Sequence, residues 1–338
     1  MELQYAENFA VDYYEDGYKM LTTLPDSKRY LLVPEGQPVP KGLDEDVSIL
    51  QEPLQNIYLV ASGVMDMFAS LDAVDQIRFS GQKQENWYIQ TAKDAMAAGD
   101  MIYAGKYSKP DYELLVSEGC DLAIENRMIT HSPEVVEMLQ SFDIPVMIEY
   151  SSYEQHPLGK VEWVKFFGAL TGKEAEAEEA FAEQTEILEK VESGEKTGKT
   201  IAFFYVTSNG LIQVRQSTDY IPKLIELAGG RYIFEDLEDS GSGRSTLNMQ
   251  VEDFYAGAKD ADILIYNSSI DGGVTTLDEL IGKCNILKDF KAVQEGQVYC
   301  TTNDMYQQSM AIGYLLQDMH TVLTDDDTAK LRYLFLLQ

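Results

Sequence analysis

The stretch Ile57-Tyr-Leu-Val-Ala-Ser-Gly-Val-Met-Asp-Met-Phe-Ala-Ser-Leu71 opens on five apolar residues, turns at Ser62-Gly63 and continues as a helical pattern from Met65 to Leu71. A short apolar run closed by a turn and followed by helical periodicity reads as a buried strand feeding a helix. The unit recurs. Ile77 to Phe79 precedes Ser80-Gly81 and the helical pattern Ile89 to Ala98, and Asp121 to Ile124 precedes a polar loop and the helix Pro133 to Phe142. Pro145 to Ile148 then ends in the polar loop Tyr150 to His156. Short buried strands alternating with helices predict parallel sheet with right-handed crossovers.

Upstream of this core, Gly17 to Leu24, the turn Pro25-Asp26-Ser27 and Arg29 to Val33 read as a hairpin packed onto something larger. Downstream, strand signals vanish between residues 157 and 195. His156-Pro157 suits a first helical turn, Val161 to Leu170 is helical in pattern, and a second helix runs from about Glu174 to Val191 with glutamates on its solvent side. Alternation resumes with strands at Ile201 to Val206, Ile263 to Tyr266 and Gln297 to Cys300, and with helices at Ile221 to Ala228, Val251 to Ala258, Leu277 to Gly282 and Gln307 to Leu323. The predicted fold is α/β, two Rossmann-like lobes with parallel sheets joined by a helical connector. The N-terminal lobe is 1–156 with its hairpin extension, the connector 157–195 and the C-terminal lobe 196–338. A helical connector predicts little hinge motion.

The 338 residues fit about two domains of ordinary size, and 45% apolar content excludes a disordered chain. A formal net charge of −31 repels phosphate backbones and anionic headgroups, which argues against nucleic-acid binding. No run approaches the length needed to cross a bilayer. Met1-Glu-Leu-Gln carries no leader pattern, which fits either a cytosolic chain or one whose leader lies upstream. Cys120, Cys284 and Cys300 lack any CxxC spacing and read as buried thiols, with neither a disulfide framework nor a thiolate metal site.

Signatures of phosphate-binding loops, zinc proteases, serine hydrolases and dinucleotide folds are absent, so no catalytic residues are assigned. Gly241-Ser242-Gly243 reads as a loop. In open α/β sheets ligands meet the loops after the strands. In the first lobe those loops hold Trp87, Tyr88, Tyr107, Arg127 and Tyr153, and in the second Asn209, Arg215, Asn267, Ser269 and Tyr306. If the two edges face each other, they form a cleft of aromatics, amides and arginines that suits a large, flat or anionic ligand. Three histidines, His131, His156 and His320, make a multi-imidazole metal site barely affordable.

The segment Asp111-Tyr-Glu-Leu-Leu-Val-Ser-Glu-Gly-Cys-Asp-Leu-Ala-Ile124 resembles the helix-then-strand segment of substrate-binding proteins that serve ABC importers of iron complexes, haem and cobalamin. Glu252-Asp-Phe-Tyr-Ala-Gly-Ala-Lys-Asp-Ala-Asp-Ile-Leu-Ile265 is similar to it, and Leu224 to Phe234 resembles the family's helix-Gly-Gly segment. The resemblance covers about residues 50 to 325. The usual Pro before Asp is Cys120 in the first lobe and Ala261 in the second, and the first fifty residues form an extension that shorter members lack.

The resemblance implies a bilobed extracytoplasmic binding protein, periplasmic or lipid-anchored, working as a monomer. It would capture an iron(III) complex such as a siderophore, hold no resident cofactor or metal, and deliver its cargo to an ABC permease. It also implies one docking carboxylate per lobe, Glu113 and Glu252, with Asp253 an equal candidate in register. Arg127, Arg215 and Arg244 could complement an anionic complex. Haem or cobalamin capture, direct Zn or Mn capture through His131, His156, Glu125 or Glu154, and a carboxylate-based hydrolase are the alternatives.

Overall fold

Alternation of buried and exposed positions builds the first sheet. A computed structural model describes residues 1–237, 245–268, 273–326 and 328–338. Strands β1 (Phe9–Tyr13), β2 (Lys19–Thr23), β3 (Lys28–Val33) and β4 (Val47–Gln51) lie in that order, with β1, β2 and β3 antiparallel and β4 parallel to β3. The expected hairpin is β2 with β3, where Thr23 pairs with Lys28. It is half of a larger sheet. Phe9 and Val11 bury alternate positions of β1, while β4 reaches β3 only through a crossover, the kind of partner that local patterning does not reveal.

The next sheet is the one announced by residues 57–71. Strands β5 (Ile57–Leu59), β6 (Ile77–Ser80) and β7 (Ile102–Tyr103) are followed by the ribbon β8 (Gly105–Lys106) with β9 (Lys109–Pro110), then by β10 (Leu122–Asn126) and β11 (Val146–Glu149). The order β11-β10-β5-β6-β7 is parallel throughout. Helices α1 (Val64–Ser70), α2 (Gln90–Ala98), α3 (Tyr112–Ser117) and α4 (Pro133–Ser141) connect the strands. The Asp111 side chain accepts from the Leu114 N–H at 3.1 Å to start α3, and Pro133 starts α4. Because the chain proceeds from β5 to β6 and β7 on one side and returns to β10 and β11 on the other, the strand order reverses between β5 and β10.

Helices α5 (Pro157–Thr171) and α6 (Glu174–Glu192) fill the region that lacks strand signals. Beyond them stand β12 (Thr200–Val206), β13 (Ile212–Arg215), α7 (Tyr220–Leu227), β14 (Arg231–Tyr232), β15 (Thr246–Met249), α8 (Val251–Ala258) and β16 (Ile263–Tyr266). Then follow α9 (Leu277–Lys283), α10 (Lys291–Gln294), β17 (Val298–Thr301), α11 (Ile312–Thr324) and β18 (Leu334–Leu336). Strands β14, β16 and β17 extend β12's sheet through parallel pairs, whereas β13 joins β12, β15 joins β13 and β18 joins β17 through antiparallel pairs. The sheet is therefore mixed where a parallel one was expected. Strand β13 is short and carries Gln213 and Arg215 at alternate positions, so it lacks the continuous apolar run that marks a buried parallel strand.

The chain divides into two compact units. The first is Met1–Glu154 with Leu158–Ala182 and Gln307–Met310, and the second Gln155–Pro157 with Glu183–Tyr306 and Ala311–Gln338. Among the described residues no helix is long and apolar enough to cross a membrane. All three cysteines are free thiols, and burial pushes Cys120 up to about 12.

Candidate ligand-binding site

In the first unit the loops after β6, β10 and β11 and the turn between β8 and β9 carry the residues singled out from sequence. The loop after β6 can turn closely because a Cβ on Gly81 would stand 2.9 Å from the Val60 Cα at the end of β5. Trp87 in this loop is buried, and its indole N–H donates to the Ser80 hydroxyl at 3.1 Å, so its ring braces the loop from within. The neighbouring Tyr88 is 44% exposed. Its backbone N–H donates to the buried Gln307 side chain at 2.8 Å, the Gln307 amide donates to the Asn86 carbonyl at 2.8 Å, and Lys93 Nζ lies 5.9 Å from the Tyr88 ring centre. Tyr107 is half-buried against the core layer of this sheet.

At the ends of β10 and β11 the structure brings two candidates together. Arg127 follows β10, where the Asn126 side chain accepts from the Met128 N–H at 2.8 Å and caps the turn. Its guanidinium lies 4.5 Å from the ring centre of Tyr153, which follows β11. Tyr153 is 41% exposed and Met128 50%. Sequence reading passed over Met128, whose only signal was its place directly after Arg127. An aromatic face, a planar cation and a soft thioether thus share one strand edge beside the reversal point of the sheet.

One strand position behind this edge lies an anomaly. Glu125 shares the face of β10 with Ala123, toward the layer of Tyr58, Leu115, Ile129, Val135 and Leu139. It is fully buried and neither carboxyl oxygen has a hydrogen-bond partner. Burial pushes its pKa up to about 8, so the group is mainly protonated at neutral pH. The ionisable neighbours that feel it are the hydroxyls of Tyr58 and Tyr112.

In the second unit Arg215 and Asn267 line one small pocket with Phe203, Tyr205, Gln213 and Thr246. Its free space of about 10 Å³ suits a single water. The Asn267 N–H donates to the Phe204 carbonyl at 2.8 Å, which places the residue between the ends of β12 and β16, where this sheet reverses. Arg215 Nη1 stands 3.5 Å from Asp219 Oδ2, and its guanidinium is 5.7 Å from the Phe203 ring centre. Burial disfavours the charge on Arg215, Asp219 opposes that, and the balance holds the pKa above its ordinary value. Asn209 sits apart in the exposed turn between β12 and β13, its side chain accepting from the Thr207 hydroxyl at 2.6 Å. Tyr306 is 39% exposed in the loop after β17. Arg244, Ser269 and the Gly241-Ser242-Gly243 triplet lie outside the described residues.

The carboxylates and histidines that could have held a bare metal are scattered. Glu154 is buried beneath backbone amides, His131 is exposed, and His320 Nδ1 is 2.9 Å from the Ala228 carbonyl. Among the described residues no three His, Cys, Asp or Glu side chains gather closely enough to bind an ion. Glu113 and Glu252 are both exposed, each in the second position of its helix, α3 and α8.

Each of the two α/β units carries polar and aromatic side chains at the carboxyl ends of its strands, where open sheets of this kind receive ligands. Residues 59–305 match the family described as "Periplasmic binding protein", and the chain belongs to that family. An uncharacterised lipoprotein of Methanocaldococcus jannaschii is 24% identical over 95% of this chain and 81% of its own length. Among solved structures, an ABC-type Fe3+-hydroxamate transport system protein of Saccharomonospora viridis is 16% identical, with a TM-score of 0.62 over 80% of this chain and 93% of that one. The periplasmic haem-binding protein HutB of Vibrio cholerae is 14% identical, with a TM-score of 0.62 over 79% of this chain and 98% of that one. At these identities the solved structures share the fold. The family is one of solute binders, in line with the resemblance read from the repeated helix-strand segments.

Proposed function

We propose that this protein captures an iron(III) complex of the siderophore type on the carboxyl-end loops of its sheets, outside the cytoplasm, and hands it as a monomer to an ABC permease. The observation that carries this reading is the guanidinium of Arg127 over the half-exposed ring of Tyr153, with the exposed Met128 next in the chain. In a chain of net charge −31, a cation held over a half-exposed aromatic face at a strand end is suited to an anionic, partly apolar complex. The family and the lipoprotein relative support the extracytoplasmic location. Haem is the second reading, favoured by the soft Met128 next to aromatic surface; cobalamin is a neighbouring one. The test is equilibrium dialysis against a ferric trihydroxamate, a ferric triscatecholate, haemin and cobalamin, followed by the visible spectrum of the complex. Saturable binding of a ferric chelate supports the first reading, a Soret band from haemin alone replaces it with the second, and binding of none overturns both.

Transfer to the permease rests on Glu113 and Glu252, exposed at matching positions of repeated segments. Replacing both with Lys puts like charges across an interface that would otherwise be complementary, which costs several kcal/mol and slows association. Transport in reconstituted vesicles is expected to fall at least tenfold while ligand affinity stays within twofold. Full transport by the double variant would remove the docking assignment.

A further inference from the structure

The family match begins at residue 59, yet the sheet that precedes it is built into the turn carrying Tyr153. Two buried carboxylates receive the segment that leads into β1. Glu162 on α5 accepts the backbone N–H groups of Gln4 at 2.9 Å, Tyr5 at 2.8 Å and Ala6 at 2.8 Å. Glu154, the residue after Tyr153, accepts those of Glu7 at 2.9 Å and Asn8 at 3.0 Å together with the Trp163 indole N–H at 2.8 Å. The sequence makes room for this contact, since a Cβ on Gly159 would stand 2.9 Å from the Tyr5 carbonyl oxygen and 3.3 Å from the Glu154 Cβ. Phe9 then seals the strand with ring contacts at 4.9 Å to Trp163 and 5.3 Å to Phe166. On the other side of the turn, Tyr30 donates to the Val146 carbonyl at 2.8 Å, and burial together with the charge of Asp26 raises the pKa of the Tyr150 hydroxyl. Tyr153 therefore lies between two anchors, Tyr150 and Glu154, both held by the N-terminal sheet.

We propose that the N-terminal sheet is a positioning element of the ligand site, and that Glu154 is the positioning residue through which it sets the face Tyr153 offers to Arg127 and the ligand. The inference rests on the functional reading above for what is bound. Its physical basis is independent of that reading. Both carboxyl oxygens of Glu154 are committed to N–H donors, Oε1 to Asn8 and Trp163 and Oε2 to Glu7, so a Gln there must turn its amide N–H2 toward a donor. Glu162→Gln is the matched control, because it loosens the same segment at Gln4, Tyr5 and Ala6 while leaving the hydrogen bonds of Glu154 in place.

Amide hydrogen exchange of residues 151–154 in the ligand-free chain is the first readout. Losing hydrogen bonds to a charged acceptor should raise exchange there roughly tenfold or more in Glu154→Gln and leave it near the parent value in Glu162→Gln. The second readout is the ratio of affinities for haemin and a ferric trihydroxamate, expected to shift by roughly fivefold in Glu154→Gln alone, which a loss of fold stability would not produce. Asp26→Asn, which weakens the Tyr150 anchor from the outer side, serves if Glu154→Gln does not fold, with the same expected signs. Equal exchange at 151–154 in the parent and the folded turn variant, or equal changes in that variant and Glu162→Gln, would overturn the proposal. If the parent binds neither probe, the ligand reading fails while the exchange data still decide the positioning role.

Discussion

Each unit places an arginine and an acid close together at a strand end, and the two units dispose of them in opposite ways. In the second, Arg215 and Asp219 face one another at 3.5 Å, with the Asp219 side chain 2% exposed and that of Arg215 18% exposed. In the first, Glu125 turns into the apolar layer without a partner, while Arg127, two residues later, lies on Tyr153. The second arrangement pairs its cation with a buried acid. The first sets its cation over an aromatic ring at the strand edge and buries a mainly protonated acid behind it. Similar residues after similar strands thus predict different roles, and side-chain direction along the strand decides which.

The largest effect expected from this contrast is in the dependence of stability on pH. Glu125 has a folded pKa of about 8 against an ordinary value of 4.5. The folded state therefore binds its proton more tightly than the unfolded chain. That stabilisation is fully present below about pH 4.5 and is lost as the pH rises to about 8, by about 1.4 kcal/mol per unit and roughly 4 to 5 kcal/mol in all. Glu125→Gln is neutral at every pH. Its stability relative to the parent in urea unfolding should climb between pH 5 and 8 and then level off. A difference independent of pH would show that Glu125 reaches solvent or a cation, and the contrast between the units would collapse.

The arginines give the next test. Removing Arg215 leaves Asp219 buried without its cation, a loss of about 3 kcal/mol of stability for a pair of this kind. Part of it should return in Arg215→Ala/Asp219→Asn, where no charge remains, although Asp219 also caps α7 by accepting from Ile221 at 3.0 Å. Arg127→Ala should change stability by less than about 1 kcal/mol and lower the affinity for a ferric triscatecholate about ten- to a hundredfold, the range of a charge-assisted hydrogen bond. Thermal melts and dialysis on both variants read the two effects separately. If Arg215→Ala lowers affinity and spares the fold, the roles are reversed.

The architecture was legible because buried parallel strands announce themselves as continuous apolar runs, as Ile57 to Ala61 and Ile263 to Tyr266 do. Strands β13, β15 and β18 escaped because short antiparallel strands of four residues or fewer need little apolar content and take their identity from distant partners. Residue type and place after a strand singled out Arg127, Tyr153, Arg215 and Asn267 as candidates but could not say how far each is enclosed. Trp87 and Tyr88 are adjacent, yet one ring is packed inside and the other faces out. Glu125 could be named as a carboxylate near the edge, whereas its isolation depends on the phase of alternation along β10, which two polar residues at a strand end do not fix.

Tyr153 offers the smallest and most discriminating effect. A guanidinium over an exposed ring gains about 0.5 to 1 kcal/mol, and the gain belongs to the ring face rather than to the hydroxyl. Tyr153→Phe should therefore keep the ferric triscatecholate affinity within about twofold, and Tyr153→Leu should lower it about two- to fivefold, through a less well placed Arg127. The two substitutions separate the ring from its polar tip. In the Arg127→Ala background the Leu substitution should lose most of its effect, because the two residues act as one element and their free energies do not add. Full additivity in that double-mutant cycle would mean that Tyr153 touches the ligand independently of Arg127, and the edge of the first unit would then work as separate contacts rather than as a cation held on a platform.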